Sequence, residues 1–285
     1  MRVLLTGAGG QLGADIKLVA EGHPGLELVA CDRSQLDITN GAETIAVIGD
    51  HNPDIIIHAA AYTAVDDCES NEKQAHTVNG EGTENVVSAA LNVGARVIYV
   101  STDYVFDGTK PEAYTETDLP NPASVYGASK LAGEKAIAEL GDRGLVVRTS
   151  WVCGAHGSNM VKTILRAAEN HPTLTFVDDQ IGKPTFTTDL AETLLLLAAR
   201  NDSGIMHVTN EGAVSWFEFC QDVLEIAGLG RDRVQPCSTD DLQPPRPAPR
   251  PANSVLENTR FPDLGLPLLR HYREPLKEVI RDLTS

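Results

Sequence analysis

Arg2-Val3-Leu4-Leu5-Thr6-Gly7-Ala8-Gly9-Gly10-Gln11-Leu12-Gly13 decides how the rest of the chain reads. An apolar run of strand composition enters a glycine-rich turn, and the turn opens a helix. Gly7, Gly10 and Gly13 stand at Gly-x-x-Gly-x-x-Gly spacing. Gly7 permits a tight turn, Gly10 lets a pyrophosphate approach the backbone, and Gly13 lets the helix pack closely on a sheet. The helix N-terminus, at Gln11 and Leu12, offers unpaired N–H groups and a favourable dipole to phosphates. Gly7, Gly10, Gln11 and Leu12 are therefore expected to cradle a dinucleotide.

Asp32 lies 19 positions after Gly13, at the end of a second apolar run, Glu27 to Asp32. A carboxylate there can bind the adenosine ribose hydroxyls and repels a 2′-phosphate, which favours NADH. Arg33 follows at once and can pair with a 2′-phosphate, which favours NADPH. Both cofactors stay open. Asp37 and Ile38 are placed to meet the adenine. Ala59-Ala60-Ala61-Tyr62 ends the third run, where small side chains let backbone approach the cofactor.

Further strand candidates are Ile55 to Ala60, Arg96 to Thr102 and Leu145 to Ser150. All five runs are nearly apolar throughout, as suits strands covered on both faces of a parallel sheet. The Ala- and Glu-rich segments between them, such as Ala75 to Asn92 and Ser124 to Leu140, suit crossover helices. The pattern predicts an α/β fold, a Rossmann-type doubly wound parallel sheet. Residues 1–150 are expected to form the dinucleotide-binding domain, and 151–285 mainly a smaller substrate-binding region, with later segments returning to the first. In that second part Val161 to Asn170, Asp189 to Ala199, Ser215 to Ala227 and Glu274 to Leu283 look helical, and Gly204 to Asn210 looks like a strand. The prolines from Pro236 to Pro251 forbid a regular helix and predict a partly ordered loop.

A second constellation carries proton chemistry. Thr102 closes the strand Arg96 to Thr102; Tyr126 follows 24 residues later and Lys130 four after that. A tyrosine and a lysine at i and i+4 share one helix face. A hydroxyl at a strand end can face them across a cleft, and together they can hand a proton to a ketone while a hydride arrives from elsewhere.

With the glycine turn, these residues resemble the extended short-chain dehydrogenase/reductase superfamily. More narrowly, the chain resembles the dTDP-4-dehydrorhamnose reductase family. The narrowing rests on Ala59-Ala60-Ala61-Tyr62-Thr63-Ala64-Val65-Asp66, on Ser101-Thr102-Asp103-Tyr104-Val105-Phe106-Asp107-Gly108, and on Tyr126-Gly127-x-x-Lys130-Leu131-x-Gly133-Glu134. Thr149-Ser150-Trp151-Val152, Gly182-x-Pro184-Thr185 and Arg250-Pro251-x-x-Ser254 extend it over nearly the whole chain. The resemblance implies reduction of a 4-keto group on a nucleotide-linked 6-deoxyhexose, with NADPH or NADH as hydride source. It implies Thr102, Tyr126 and Lys130 as catalytic residues, Tyr126 and Lys130 also touching the cofactor, and Val65, Thr102, Asp103, Tyr126 and Trp151 as contacts of the nucleotide-sugar substrate. Asn159 and Arg250 stand outside that set. Asp15 lies where some relatives carry a glutamate linked to a metal-bridged dimer, so no metal is expected; a homodimer stays possible.

Rival readings stand beside this one. Epimerases and dehydratases of the superfamily usually carry a different, serine-rich strand end and a longer substrate domain. A non-catalytic regulatory subunit, such as the beta subunit of methionine adenosyltransferase, would not need Thr102, Tyr126 and Lys130 intact. A related nucleotide-sugar 4-ketoreductase acting on another deoxysugar also remains open.

Bulk properties agree with a soluble enzyme. The 285 residues carry a formal net charge of −17, which argues against nucleic acid and anionic membranes as partners. The five cysteines include no Cys-x-x-Cys pair and suggest reduced thiols in the cytoplasm. The eight histidines show no zinc-ligand spacing. The apolar start is too short for a signal peptide or a membrane span.

Overall fold

The computed structural model describes residues 1–284. Six parallel strands form the central sheet: β1 (Arg2–Thr6), β2 (Glu27–Cys31), β3 (Ile55–His58), β4 (Arg96–Thr102), β5 (Gly144–Thr149) and β6 (Gly204–His207). Their spatial order is β6-β5-β4-β3-β1-β2. The chain steps from β1 outward to β2, then returns past β1 to β3. The turn after β1 therefore sits where the winding reverses, the place where open α/β sheets bind ligands.

Alternation along the strands explains the continuous apolar runs. Val3, Leu5, Ile55 and Ile57 face α1 (Gln11–Ala20) through Leu12 and Ile16. Leu4, Ile56 and Val97 face the other layer, made by α2 (Gly41–His51), α3 (Gly82–Val93) and α4 (Val125–Ala138). Each fully buried Leu or Ile contributes about 1.5–3 kcal/mol, so covering both faces is the dominant gain. A third core lies outside the sheet. It joins α5 (Met160–Asn170), α7 (Trp216–Ile226) and α8 (Arg273–Thr284) around Ile164, Phe219 and Leu276. Helix α6 (Thr187–Ala198) comes from the second half of the chain but packs with α1 on the central sheet through Leu190 and Leu194.

Register places the site. Thr6 pairs with Cys31 on one side and with His58 on the other, so three strands end level. His58 pairs with Tyr99, so β4 runs three residues beyond β3 to Thr102, which pairs with Thr149 of β5. That overhang carries Thr102 past the end of β3.

Three expectations from the sequence change. The third strand stops at His58 rather than Ala60, because the Ala60 N–H donates to the Thr6 hydroxyl (3.2 Å) instead of a neighbouring strand. The helix expected over Ala75 to Asn92 is broken by a π-turn at Thr77–Glu81, between Glu72–His76 and α3. The strand expected over Gly204 to Asn210 is divided: β6 ends at His207, and Asn210–Glu211 pairs separately with Leu269–His271. The proline-rich loop is ordered by contacts, since the Ala248 N–H donates to Asp66 (3.1 Å) and Ala248 is buried. No described helix is long and apolar enough to cross a membrane.

Candidate active site

Two adjoining clefts at the C-terminal sheet edge share Gly7, Gly10, Ala59 and Ala61 in their walls and form one trough. The first, about 520 Å³, is lined by Gly7, Gly10, Asp32, Arg33, Asp37, Ile38, Ala59, Ala60, Ala61 and Tyr62. The second, about 460 Å³, is lined by Gln11, Leu12, Val65, Thr102, Asp103, Tyr126, Lys130 and Trp151. The structure thus brings every residue expected to touch cofactor or substrate into one trough, with Asp32 and Arg33 toward one end, Thr102, Tyr126 and Lys130 toward the other, and the glycine turn where the clefts meet.

The cradle is shaped by what it lacks. Gly7 has φ of +73°, and a Cβ there would stand 2.7 Å from the Ala60 nitrogen. A Cβ on Gly13 would stand 2.5 Å from the Gly7 carbonyl oxygen. No side chain caps α1 at Gly10, so its first N–H groups are left to a ligand. These features fit the pyrophosphate of a dinucleotide.

At the far end of that cleft, Asp32 Oδ1 accepts from the Ser34 N–H (2.8 Å), the Ser34 hydroxyl (2.6 Å) and the Gln35 N–H (3.3 Å). The Ser34 hydroxyl and the backbone hold its carboxyl below the usual range. Arg33 is 77% exposed and only loosely paired, 3.7 Å from Asp37. An exposed pair of this kind is worth about 0–1 kcal/mol, so Arg33 is free to turn to a phosphate.

At the other end, α4 starts at the cap Ser124, whose hydroxyl accepts from the Gly127 N–H (3.1 Å). A side chain on Gly127 would overlap the Tyr104 carbonyl, and one on Gly133 the Tyr99 hydroxyl. The two glycines let α4 press against β4 and the loop after it. The motif spacing from Tyr126 to Glu134 is in this sense a packing requirement as well as a chemical one.

Tyr126 is nearly buried, and burial pushes its phenol above the ordinary range, against the opposing effect of a hydrogen bond with Thr102. Lys130 Nζ donates to the Val100 carbonyl (2.8 Å) and lies 4.0 Å from the centre of the Tyr99 ring. Burial lowers its pKa to about 7, with Glu134 acting in the opposite sense. The Thr102 hydroxyl donates to Asp103 Oδ1 (2.9 Å) and accepts from the Tyr104 N–H (3.2 Å). A hydroxyl has one hydrogen, so Thr102 must release Asp103 before it donates to a ketone. Burial raises Asp103 to about 6.

The Lys130 shift has a consequence for stability. Its pKa falls from 10.5 to about 7 on folding, so between those values the unfolded chain holds more protons. Stability from this group therefore rises with pH through that window, and the full cost of the buried charge is present below about 7. Lys130→Met is expected to melt higher than the wild type below pH 7, with the gap closing toward pH 10.5. A melting difference that does not change with pH would contradict this.

Several residues of the site are silent in the sequence. Asn79, in the π-turn, accepts from the Tyr62 N–H (2.8 Å) and donates to the Tyr62 carbonyl (3.0 Å) and the Ser129 hydroxyl (2.9 Å). It ties the loop after β3 to α4, and π-turns often mark functional sites. His58 is buried between the hydroxyls of Thr6 (2.7 Å) and Thr83 (3.1 Å), and burial lowers it to about 3, so it stays neutral. Trp216 stacks on Trp151, ring centres 3.5 Å apart and planes 6° apart. Trp151 itself holds a left-handed φ of 47°. That backbone costs a bulky residue about 1–2 kcal/mol, and an aromatic stack returns about 0.5–1.5 kcal/mol. Of the residues left outside the site, Asn159 caps α5 by accepting from the Lys162 N–H (3.3 Å), and Arg250 makes a bidentate pair with Asp66 (2.6 and 2.8 Å). Asp15 Oδ1 bonds His156 Nδ1 (2.9 Å).

Comparison with known proteins agrees with this geometry. The family model described as the RmlD substrate binding domain matches residues 1–285. A dTDP-4-dehydrorhamnose reductase of Streptomyces griseus is 40% identical over 283 residues, covering 97% of this chain and 92% of the relative. The crystal structure of a dTDP-4-dehydrorhamnose reductase from Clostridium acetobutylicum superposes with a TM-score of 0.96 at 39% identity, over 100% of both chains. That of Bacillus anthracis, solved in complex with NADP, superposes with a TM-score of 0.93 at 38% identity, over 99% of both chains.

Proposed function

The chain belongs to the RmlD substrate-binding-domain family, that of the dTDP-4-dehydrorhamnose reductases, and from this premise we propose how its residues carry out the reduction. The reaction is transfer of a hydride from NADPH or NADH to the 4-keto carbon of dTDP-4-dehydro-6-deoxy-L-mannose, giving dTDP-L-rhamnose. The observation that carries it is the single trough joining the glycine cradle to Thr102, Tyr126 and Lys130.

When bound, the dinucleotide supplies the hydride. The chain's own residues do the rest. Gly7, Gly10 and the open end of α1 hold the pyrophosphate. Asp32 and Arg33 meet the adenosine ribose. The loose Arg33 suits a 2′-phosphate, so NADPH is the expected carrier, with NADH accepted more weakly. Tyr126 is neutral at physiological pH, which is the form that can give a proton to the oxygen at C4. Lys130, one turn along α4, stabilises the phenolate left behind when it is protonated. Thr102 orients the ketone oxygen once its hydrogen turns from Asp103. Val65, Asp103 and Trp151 line the sugar end.

The test is direct. Purified protein is expected to consume NADPH only when a dTDP-4-keto-6-deoxysugar is supplied, and NMR of the product should identify dTDP-L-rhamnose. Unchanged nicotinamide absorbance with both NADPH and NADH would overturn the reading. Turnover of another 4-keto sugar in preference would keep the chemistry and move the substrate.

A further inference from the structure

The chain contains two tryptophans, and both lie in one stack on the wall of the trough. They come from distant segments: Trp151 follows β5, whereas Trp216 is the first residue of α7. The two differ in how they are held. Trp216 meets Phe219 edge to face, with ring centres 5.9 Å apart, and Phe219 is fully buried in the third core. The first turn of α7 is locked by a reciprocal cap in which Ser215 Oγ accepts from the Glu218 N–H and Glu218 accepts from the Ser215 N–H, both at 3.1 Å. Trp151 is tied through its carbonyl, which accepts from the Cys153 thiol and the Thr185 N–H (both 3.3 Å), while its ring leans on Trp216. Its backbone is left-handed, and a Cβ on Gly182 would stand 2.5 Å from its ring. One indole is a fixed plate; the other is a strained residue pressed flat against it.

We propose that Trp216 is a positioning residue for the sugar: it holds Trp151 in place, so that the pair forms a rigid flat wall at the sugar end of the trough. The proposal rests on the ketoreductase reading and deepens it. A 6-deoxyhexose presents an apolar C–H face enlarged by its methyl group, and a flat aromatic wall complements such a face. Hydride and proton must reach one carbonyl from separate groups, so a ring that tilts loses turnover even when it binds. A rigid wall removes that tilt, and rigidity is what Trp216 adds to Trp151.

Three measurements test this on the full chain. Stacked indoles give an exciton couplet in far-ultraviolet circular dichroism. It is expected in the wild type, lost in Trp216→Phe and Trp216→Ala, and kept in the wild type when dTDP-L-rhamnose is bound at concentrations that inhibit turnover. In Trp216→Ala, kcat/KM for the 4-keto sugar is expected to fall about 30-fold or more, while the KM for NADPH stays within about two-fold. Trp216→Phe, which restores an aromatic plate, should recover most of the loss. A merely structural role would move the NADPH and sugar parameters together. Wild-type kcat/KM for the sugar in a folded Trp216→Ala overturns the proposal. So does a couplet that inhibitory product abolishes, since a pair that parts on binding is not a rigid wall; that result needs no variant to fold. Absence of turnover by the wild type itself sinks the ketoreductase reading, and this proposal with it; wild-type turnover beside an unimpaired Trp216→Ala sinks this proposal alone.

Discussion

Tyr126→Phe is expected to bind NADPH as the wild type does and to lose about 10²–10⁴-fold in turnover, the range that a positioned acid supplies. The substitution removes one oxygen and keeps the ring. The ring packs at the edge of Tyr104, centres 5.6 Å apart and planes at 73°, and phenylalanine preserves that contact. The Tyr126 carbonyl, which accepts from the Ser129 hydroxyl (2.7 Å), belongs to the backbone and is unaffected. The glycine cradle lies where the two clefts meet and is built of backbone, which owes nothing to the Tyr126 hydroxyl. Folding and cofactor affinity should therefore survive while the proton donor is gone. Steady-state kinetics with cofactor titration separates the two effects. A rate within about five-fold of wild type would remove Tyr126 from the proton-donor role.

The grouping of Thr102, Tyr126 and Lys130 was legible in the sequence because its parts are local. Tyr126 and Lys130 are one helical turn apart, and Thr102 ends an apolar run of buried-strand type. The glycine turn was legible for the same reason: Gly7, Gly10 and Gly13 fall within one strand-to-helix junction. Residues whose role depends on distant partners gave no such signal. Asn79 reaches Tyr62 across 17 positions and Ser129 across 50, and only a π-turn that breaks the expected helix aims it there. Trp216 reads as an ordinary apolar residue at the start of an amphipathic helix until Trp151 is found lying on it. The ends of elements were misplaced where side chains replace the strand ladder, as Thr6 does in taking the Ala60 N–H.

The Asp32 and Arg33 pair shows a different limit. Residue types alone give opposite cofactor preferences. Geometry weighs them, because three hydrogen bonds to Asp32 Oδ1 already compensate part of its charge, whereas the guanidinium of Arg33 is exposed and lightly held. The same reasoning explains why Thr102 is not yet poised. Its hydrogen is committed to Asp103, so the proposed contact with a ketone would require that hydrogen to turn.

Arg148→Met is expected to destabilise the fold by about 3–5 kcal/mol, the cost of leaving a buried charge without its partner. Arg148 on β5 is 1% exposed and Glu134 on α4 is 5% exposed. The guanidinium grips the carboxylate at two points, Nε to Oε1 (2.9 Å) and Nη2 to Oε2 (2.7 Å). Ser101 of β4 adds a third bond to Oε1 (2.6 Å). Without Arg148 that serine bond alone faces the carboxylate, far from water. The exposed Arg33–Asp37 pair, at about 0–1 kcal/mol, sets the scale of the contrast. If the loss comes from the stranded charge, then Arg148→Met with Glu134→Leu should restore most of the stability, since two apolar side chains of similar volume need no partner. Urea unfolding of the two single variants and the double variant closes the cycle; a double variant no more stable than Arg148→Met would locate the cost in lost packing against Phe106 instead, whose ring lies 5.0 Å beneath the guanidinium. The pair also joins the elements that carry the proposed reacting groups. Glu134 lies one turn beyond Lys130, Ser101 precedes Thr102, and Arg148 precedes Thr149, so its three bonds fasten α4 to the two strands whose overhang carries the site. Even the double variant, stable again, should therefore keep a lower kcat than the wild type, because apolar packing restores free energy without restoring the register between Tyr126 and Thr102.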